Sequence, residues 1–109
     1  ICDLAALQNL NLSRNQIENV EGLEQCRQLK VLDLSNNYIG SISCIARMEA
    51  LTNLTELRLS RNRLATFPLA SLHLPMLRSL YLEENSIVKI EPVLGCPLLE
   101  RLELGFNEV

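Results

Sequence analysis

The sequence has few of the residue types on which many functional sites depend. It has no tryptophan, two tyrosines, two phenylalanines, four glycines and a single histidine, His73. It contains no glycine-rich phosphate-binding motif, and no nucleophile or acid at a repeat spacing that would bring it beside His73. We therefore expect no catalytic residue, no nucleotide site and no cofactor, and predict that the protein is not an enzyme.

The sequence also has few metal-ligating residues, no long apolar run and no excess of positive charge. The four cysteines include no CxxC pair, which disfavours a metal site. No apolar run reaches the length of about 18 residues that a membrane-spanning helix needs. Ten Lys and Arg against thirteen Asp and Glu give a net charge of −3, which disfavours a nucleic acid partner.

The sequence does contain a segment of eleven residues that recurs five times without a gap. The copies start near residues 7, 29, 54, 77 and 99 and read LQNLNLSRNQI, LKVLDLSNNYI, LTELRLSRNRL, LRSLYLEENSI and LERLELGFNEV. All fit LxxLxLxxNx followed by Ile, Leu or Val, at spacings of 22, 25, 23 and 22 residues. Residues 1–109 are therefore predicted to form one repeat domain, which we expect to be part of a longer array.

The spacing within each copy predicts one short strand and a return path. Apolar residues alternate in LxL, as in a strand with one buried face, and the alternation stops at the following turn. A unit of this length cannot bury its own apolar face, so neighbouring units must stack and align their strands in parallel. We predict an α/β solenoid with short helical or extended return paths, and room for a longer helix only in segment 43–53.

An asparagine occupies the ninth position of every copy: Asn15, Asn37, Asn62, Asn85 and Asn107. A buried asparagine side chain can both donate and accept hydrogen bonds, so it can pair with the backbone groups exposed where each strand ends. Stacked copies would form a ladder. The alternative is that these residues are ordinary exposed turn residues.

The extended pattern LxxLxxLxLxxNxIxxIxxL, seen from Leu4 to Leu23, resembles that of the leucine-rich repeat family. It is most similar to the short intracellular subclass, which includes a protein phosphatase 1 regulatory subunit and an axonemal dynein light chain. The resemblance implies a horseshoe whose concave parallel sheet binds proteins, as a scaffold or regulatory module. It also implies an intracellular location, cytoplasmic first, with the nucleus or cilium as alternatives.

Two of the cysteines, Cys26 and Cys96, occupy equivalent core positions three repeats apart. That separation is roughly 14 Å at about 4.8 Å per strand, too far for a disulfide, which tolerates about 7 Å between Cα atoms. We therefore expect these two to be buried free thiols, as in a reducing compartment. Cys2 and Cys44 cannot be placed from the sequence, and a disulfide involving them stays open.

The strand positions that the apolar framework leaves free are the candidate binding surface. Aromatic and arginine side chains are typical of interface hot spots. The candidate partner-binding residues are Arg58, Arg61, Tyr81, Glu83, Glu84, Glu103 and Phe106. From Glu83 onward the chain has two basic and six acidic residues, which favours a partner with a basic surface. The alternative is that all seven are ordinary surface residues.

Two further functions remain open. The N-glycosylation pattern, which would matter in an extracellular recognition domain, is matched by Asn11-Leu12-Ser13 and Asn53-Leu54-Thr55. The repeat framework itself uses Asn, Leu and Ser or Thr, so such matches also arise by accident. The chain could also be a structural subunit of a large assembly, such as an axonemal complex, with contacts made by its flanks.

Overall fold

A computed structural model of the chain describes residues 6–40, 46–67, 72–89 and 95–107. The strands are β1 (Asn9–Asn11), β2 (Val31–Asp33), β3 (Glu56–Arg58), β4 (Ser79–Tyr81) and β5 (Arg101–Glu103). They form one sheet in the order β1-β2-β3-β4-β5, and every neighbouring pair is parallel. Each strand with its return path is one coil, and the predicted solenoid is confirmed.

Each strand begins at the second residue after the first leucine of its repeat, and the leucine at the centre of the strand points inward. The central leucines are paired in register: Leu10 with Leu32, then Leu57, Leu80 and Leu102. Backbone hydrogen bonds between coils continue past the strands, as in the bond from the Leu34 N–H to the Arg58 carbonyl at 2.8 Å. The identical spacing in each repeat therefore produces an in-register stack.

The described parts of the return paths contain single helical turns or no regular structure. Two 3-10 helices occur there, Leu23–Gln25 and Met48–Ala50, and they pack against each other. The first follows Gly22, whose φ of 93° is a left-handed conformation that glycine adopts without a steric penalty. Of the segment 43–53, the described part contains the helix Met48–Ala50, and residues 43–45 lie outside the described residues.

The inner coils hold a continuous apolar interior. Columns of equivalent residues stack through it, and the fully buried members include Leu29, Leu32, Leu34, Ile39, Leu54, Leu57, Leu59, Leu64, Leu77, Leu80, Leu82 and Ile87. The equivalent residues of the outer coils are only partly buried: Leu7, Leu10, Leu12, Ile17, Leu99, Leu102 and Leu104. Burial of an apolar column thus requires a coil on each side, as expected for a stacked array.

The asparagine column joins consecutive coils. Asn62 Nδ2 donates to the carbonyl of Leu34 in the preceding coil and to that of Leu59 in its own coil, both at 3.0 Å. Its Oδ1 accepts the N–H of Ile39, also in the preceding coil, at 3.0 Å. The same pattern is found at Asn37, Asn85 and Asn107. Each of these asparagines therefore satisfies backbone groups of the coil before it.

Asn15, in the first coil, differs from the rest of the column. It is exposed, and its Nδ2 donates to the carbonyls of Leu12 and Ser13 within its own coil. Asn37, Asn62 and Asn85 are buried, by contrast. The asparagine ladder among the described residues therefore begins at the bonds that Asn37 makes to the first coil.

One expectation about the cysteines is wrong. Cys26 and Cys96 are both buried and Cys96 is a free thiol, but Cys26 is disulfide-bonded. Its partner lies outside the described residues. The distance between equivalent positions excludes only a bond between Cys26 and Cys96, and Cys2 and Cys44 could not be placed from the sequence.

Candidate functional site

The outward face of the sheet carries one column of side chains that varies from coil to coil. The residue after each central leucine is paired in register with its neighbours, giving the row Asn11, Asp33, Arg58, Tyr81 and Glu103. Because successive strand residues point to opposite faces, this row lies opposite the buried leucines. The face changes from polar at β1 to aromatic and acidic at β4 and β5.

The family resemblance predicts that this outward face is the concave side of the solenoid, and we call it the concave face. Next to β4 and β5 it forms an open groove of about 400 Å³. Its lining residues are Ser60, Arg61, Glu83, Glu84, Glu103, Gly105 and Phe106. Five of the seven residues predicted from the sequence are among them. We call this surface the C-terminal groove.

Ion pairs and hydrogen bonds organise the C-terminal groove. Arg61 Nε pairs with Glu84 Oε2 in the next coil. Ser60 Oγ donates to Glu83 Oε1 at 2.8 Å, while Glu103 lies 3.9 Å from a guanidinium nitrogen of Arg101. The groove thus carries three carboxylates and one guanidinium, and its local charge is negative.

The other two predicted residues, Arg58 and Tyr81, lie together outside the C-terminal groove. The Arg58 guanidinium stacks over the Tyr81 ring, with its carbon 4.8 Å from the ring centroid. Arg58 Nε also donates to Glu56 Oε2 at 2.7 Å, and this bond raises the pKa of Arg58 above its ordinary value. Arg58 therefore stays charged while it is held against an aromatic ring.

Arg58 also lines a second concavity, of about 340 Å³, beside the N-terminal strands. Its other lining residues are Asn9, Leu10, Asn11, Val31, Asp33 and Glu56. Asn11 Oδ1 accepts bonds from both the N–H and the hydroxyl of Ser13, and Asp33 Oδ1 accepts the N–H of Ser35. Asn11 and Asp33 are thus held by hydrogen bonds within their own coils, whereas Phe106 in the C-terminal groove is largely exposed.

The residue before each ladder asparagine has a left-handed backbone. The φ values are 59° at Arg14, 58° at Asn36, 56° at Arg61, 55° at Glu84 and 60° at Phe106. Asparagine tolerates this region, whereas arginine, glutamate and phenylalanine are uncommon there. Phe106 is also 84% exposed, so its ring packs little against the protein.

The sequence did not reveal two features of the C-terminal groove. Ser60 and Gly105 line it without having been chosen as candidates, although both lie in the same repeat column as Glu83. The left-handed backbone at the residue before each asparagine was also missed, because only Asn36 among these five residues is of a type that signals it. The column position could have identified the first two residues.

Outside the concave face, the described candidates for catalysis or metal binding are His73, Cys96 and groups of metal-ligating side chains. The expectation that no acid lies beside His73 is wrong, because the His73 backbone N–H donates to Glu49 Oε1 at 3.0 Å across one repeat. This bond uses the backbone and not the imidazole. Burial raises the pKa of the Cys96 thiol, which disfavours the reactive thiolate. The described residues contain no cluster of three metal-ligating side chains and no helix long and apolar enough to cross a membrane.

Two family models match the chain. One, described as "Leucine Rich repeats (2 copies)", matches residues 5–47 and 29–71. The other, described as "Leucine rich repeat", matches residues 52–109. Together the matches extend over every strand of the sheet.

Similar proteins include receptors. The chain is 38% identical over 109 residues to leucine-rich repeat-containing G-protein coupled receptor 5 of Rattus norvegicus, covering 98% of the chain and 12% of that receptor. It is 40% identical over 100 residues to Toll-like receptor 2 of Homo sapiens, covering 90% of the chain and 12% of that receptor. The chain thus spans about one eighth of the length of these relatives.

Similar solved structures include two proteins of Listeria monocytogenes. Internalin C2 is 31% identical with a TM-score of 0.70, over 90% of this chain and 42% of the internalin. The functional domain of InlJ, described as including a cysteine ladder, is 26% identical with a TM-score of 0.73, over 93% of this chain and 21% of that domain. Both share the parallel solenoid.

Proposed function

This chain belongs to the leucine-rich repeat family, and from that premise we propose that it binds a protein partner through its concave face, without catalysis. Proteins of this family generally mediate protein–protein interactions. The C-terminal groove would be the principal contact, with Arg58 and Tyr81 extending it toward the N-terminal coils. The finer role, as a scaffold or regulatory module, belongs to the same proposal.

The exposure of Phe106 is the observation that carries this proposal. Its ring is 84% exposed beside the carboxylates of the C-terminal groove. The φ of 60° is shared by the equivalent residue of every coil and belongs to the repeat, whereas an exposed apolar ring is typical of a binding site. Burial of the ring by a partner would compensate for its exposure, so we assign Phe106 the role of an aromatic anchor.

The charge of the C-terminal groove indicates the chemistry of the partner. Glu84 pairs with Arg61 and Glu103 lies 3.9 Å from Arg101, whereas Glu83 accepts a hydrogen bond from the neutral hydroxyl of Ser60, so Glu83 keeps its negative charge for a ligand. Carboxylates attract lysine and arginine and repel phosphates, which supports a basic protein surface over a nucleic acid. An adjacent aromatic ring adds a contact for a cation.

The size of the face limits how much of an interface it can supply. Five strands at about 4.8 Å, each exposing about four residues at about 3.3 Å, offer on the order of 300 Å². A stable interface buries about 800 Å² per partner. Since the chain covers 12% of its receptor relatives, we propose that further repeats or the flanking edges supply the remaining area.

Two compartments are compatible with this function. The short intracellular subclass, with its phosphatase regulatory subunit and dynein light chain, is supported by the repeat length of about 22 residues. An extracellular recognition domain is the second candidate, and the disulfide at Cys26 favours it because disulfides persist in oxidising compartments. Similarity to proteins named receptors supports the same candidate.

The test measures affinity for a purified partner, identified first by affinity capture with the full-length protein. Phe106→Ala should raise the Kd by about 30-fold, the effect of removing a hot spot of about 2 kcal/mol. Val88 is 56% exposed and outside both grooves, so Val88→Ala is the matched control and should leave the Kd within about 2-fold.

A double variant tests whether the carboxylates of the C-terminal groove contribute to binding. Glu83→Gln with Glu103→Gln should weaken binding and reduce its dependence on salt, because charge complementarity is screened by ions. If neither Phe106→Ala nor the double glutamine variant changes the Kd, the concave face is not the interface.

A further inference from the structure

We propose that Asn53 is an N-glycosylation site and that its glycan covers the strand-entry edge of the solenoid, leaving the concave face open. The strand-entry edge is the turn that precedes each strand, and it includes Gln28, Asn53, Met76 and Leu98 at equivalent repeat positions. The inference rests on the extracellular candidate for the proposed function.

Asn53 is accessible in a turn and not in a strand. Thr52 and Asn53 form a turn ahead of β3, and both are exposed. Asn53 Nδ2 donates one hydrogen bond, to the carbonyl of Arg27 at 3.0 Å. A glycosylated amide keeps one N–H, so this bond to the preceding coil is compatible with the modification.

The surroundings of Asn53 leave room for a glycan. At equivalent positions in adjacent coils, Gln28 and Met76 are both exposed, and Met76 retains 42% of its accessible surface. Asn53 lines neither concave groove. A sugar chain here would lie beside the edge of the sheet and would also cover part of the exposed Met76.

Asn11 satisfies the same sequence pattern in a different location. It belongs to β1, lies in register with Asp33, and lines the N-terminal concavity with Arg58. A glycan on Asn11 would therefore stand on the concave face and compete with a protein partner. Location within the coil thus separates two sites that the sequence pattern alone treats as equivalent.

The reaction needs a co-reactant of one chemical class, a lipid-pyrophosphate-linked oligosaccharide. Asn53 Nδ2 forms a bond to the anomeric carbon of the first sugar while the bond from that carbon to the pyrophosphate oxygen breaks. The lipid pyrophosphate leaves, and the amide nitrogen loses one proton. No electrons are transferred to an external acceptor. Thr55 supplies the hydroxyl that the acceptor pattern requires.

The test uses the full-length protein purified from its own cells. Peptide N-glycosidase should lower its mass and convert Asn53 to aspartate, which peptide mass spectrometry locates, while the peptide with Asn11 should be unchanged. Thr55→Val should abolish the modification at Asn53, and Thr55→Ser, which keeps a hydroxyl, should retain it. Thr55 Oγ1 donates to the Lys30 carbonyl at 3.0 Å, so the serine variant also preserves that bond.

The outcomes separate this inference from the proposed function. An unmodified Asn53 in the native protein would overturn the inference, whether or not Phe106→Ala weakens partner binding. A glycan on Asn11 alone would overturn it as well. A glycan on Asn53 together with unchanged binding by Phe106→Ala would support the inference and contradict the concave binding site.

Discussion

Asn62 in the third coil and Asn15 in the first occupy the same position of the repeat but are stabilised differently. Asn62 is 9% exposed and bonds to backbone groups of two coils. Asn15 is exposed, and its described bonds stay within its own coil. The apolar columns differ in the same way, with Leu57 fully buried and Leu102 partly buried. How much a given repeat position contributes to stability therefore depends on the coils that lie next to it.

The bonds of the asparagine ladder also have a direction. Each ladder asparagine that joins two coils bonds to the coil that precedes it, as when Asn85 donates to Leu59 and accepts from Leu64. Loss of one asparagine therefore leaves unpaired backbone groups in the preceding coil as well as in its own. Cooperativity between neighbours is the expected consequence in a linear array.

The largest expected difference is between the inner and outer leucines. Leu57→Ala should lower the free energy of unfolding by about 2–5 kcal/mol, because it leaves a cavity in a fully packed interior. Leu102→Ala should lower it by less, since part of that side chain is already in contact with solvent. Urea unfolding followed by circular dichroism measures both, and equal losses would contradict the comparison.

A substitution of Gly95 tests how closely the third and fourth coils approach. A Cβ at Gly95 would overlap the backbone carbonyl of Leu72, and Gly95 also accepts a hydrogen bond from the Leu74 N–H at 3.0 Å. Gly95→Ala should destabilise the fold by roughly 1–3 kcal/mol through forced displacement of the backbone. In the control, Gly105→Ala, the Cβ meets only Glu83 Cγ at 3.9 Å. Thermal melts that rank the two variants in the opposite order would refute the close approach.

The asparagine ladder gives the next effect in size. Asn62→Ala should lower the free energy of unfolding by about 1–3 kcal/mol, because it strands the buried N–H of Ile39. Asn15→Ala should lower it by less than about 0.5 kcal/mol, as is usual for an exposed residue. Hydrogen exchange adds a sharper measurement, since the Asn62 variant should lose protection at Ile39. Unchanged protection there would show that the ladder contributes little.

The smallest expected effect concerns the residues with left-handed backbone that precede the asparagines. Substitutions there can separate an effect on stability from an effect on binding. Phe106→Asn should raise the free energy of unfolding by roughly 0.5–1 kcal/mol, because asparagine tolerates a φ of 60° better than phenylalanine does. The same variant should weaken partner binding. Arg14→Asn, at φ 59° and away from the C-terminal groove, should give the stability gain without the loss of affinity. Stability losses in both variants would contradict the assignment of strain to this column.

Much of the fold could be predicted because the repeat is explicit in the sequence. The spacing from Leu29 to Leu54 to Leu77 placed three inner strands in register, and the structure has that register. For the candidate site, the alternation around Leu80 and Leu102 placed Tyr81 and Glu103 on the outward face. The alternation could not show that Tyr81 stacks with Arg58 whereas Phe106 is largely exposed, because side-chain contacts between coils depend on rotamers and backbone angles.

The sequence by itself determined the strand order, the buried leucine columns and the asparagine column, because these follow from a period shared by all five copies. The tertiary structure decided which asparagines are buried, where the backbone becomes left-handed, and which candidate residues surround one groove. It also decided that Cys26 is in a disulfide and that Asn11 and Asn53 lie on different surfaces. The physical reason is that these properties depend on contacts between residues at least 20 positions apart in the chain, such as that from Ile17 to Asn37.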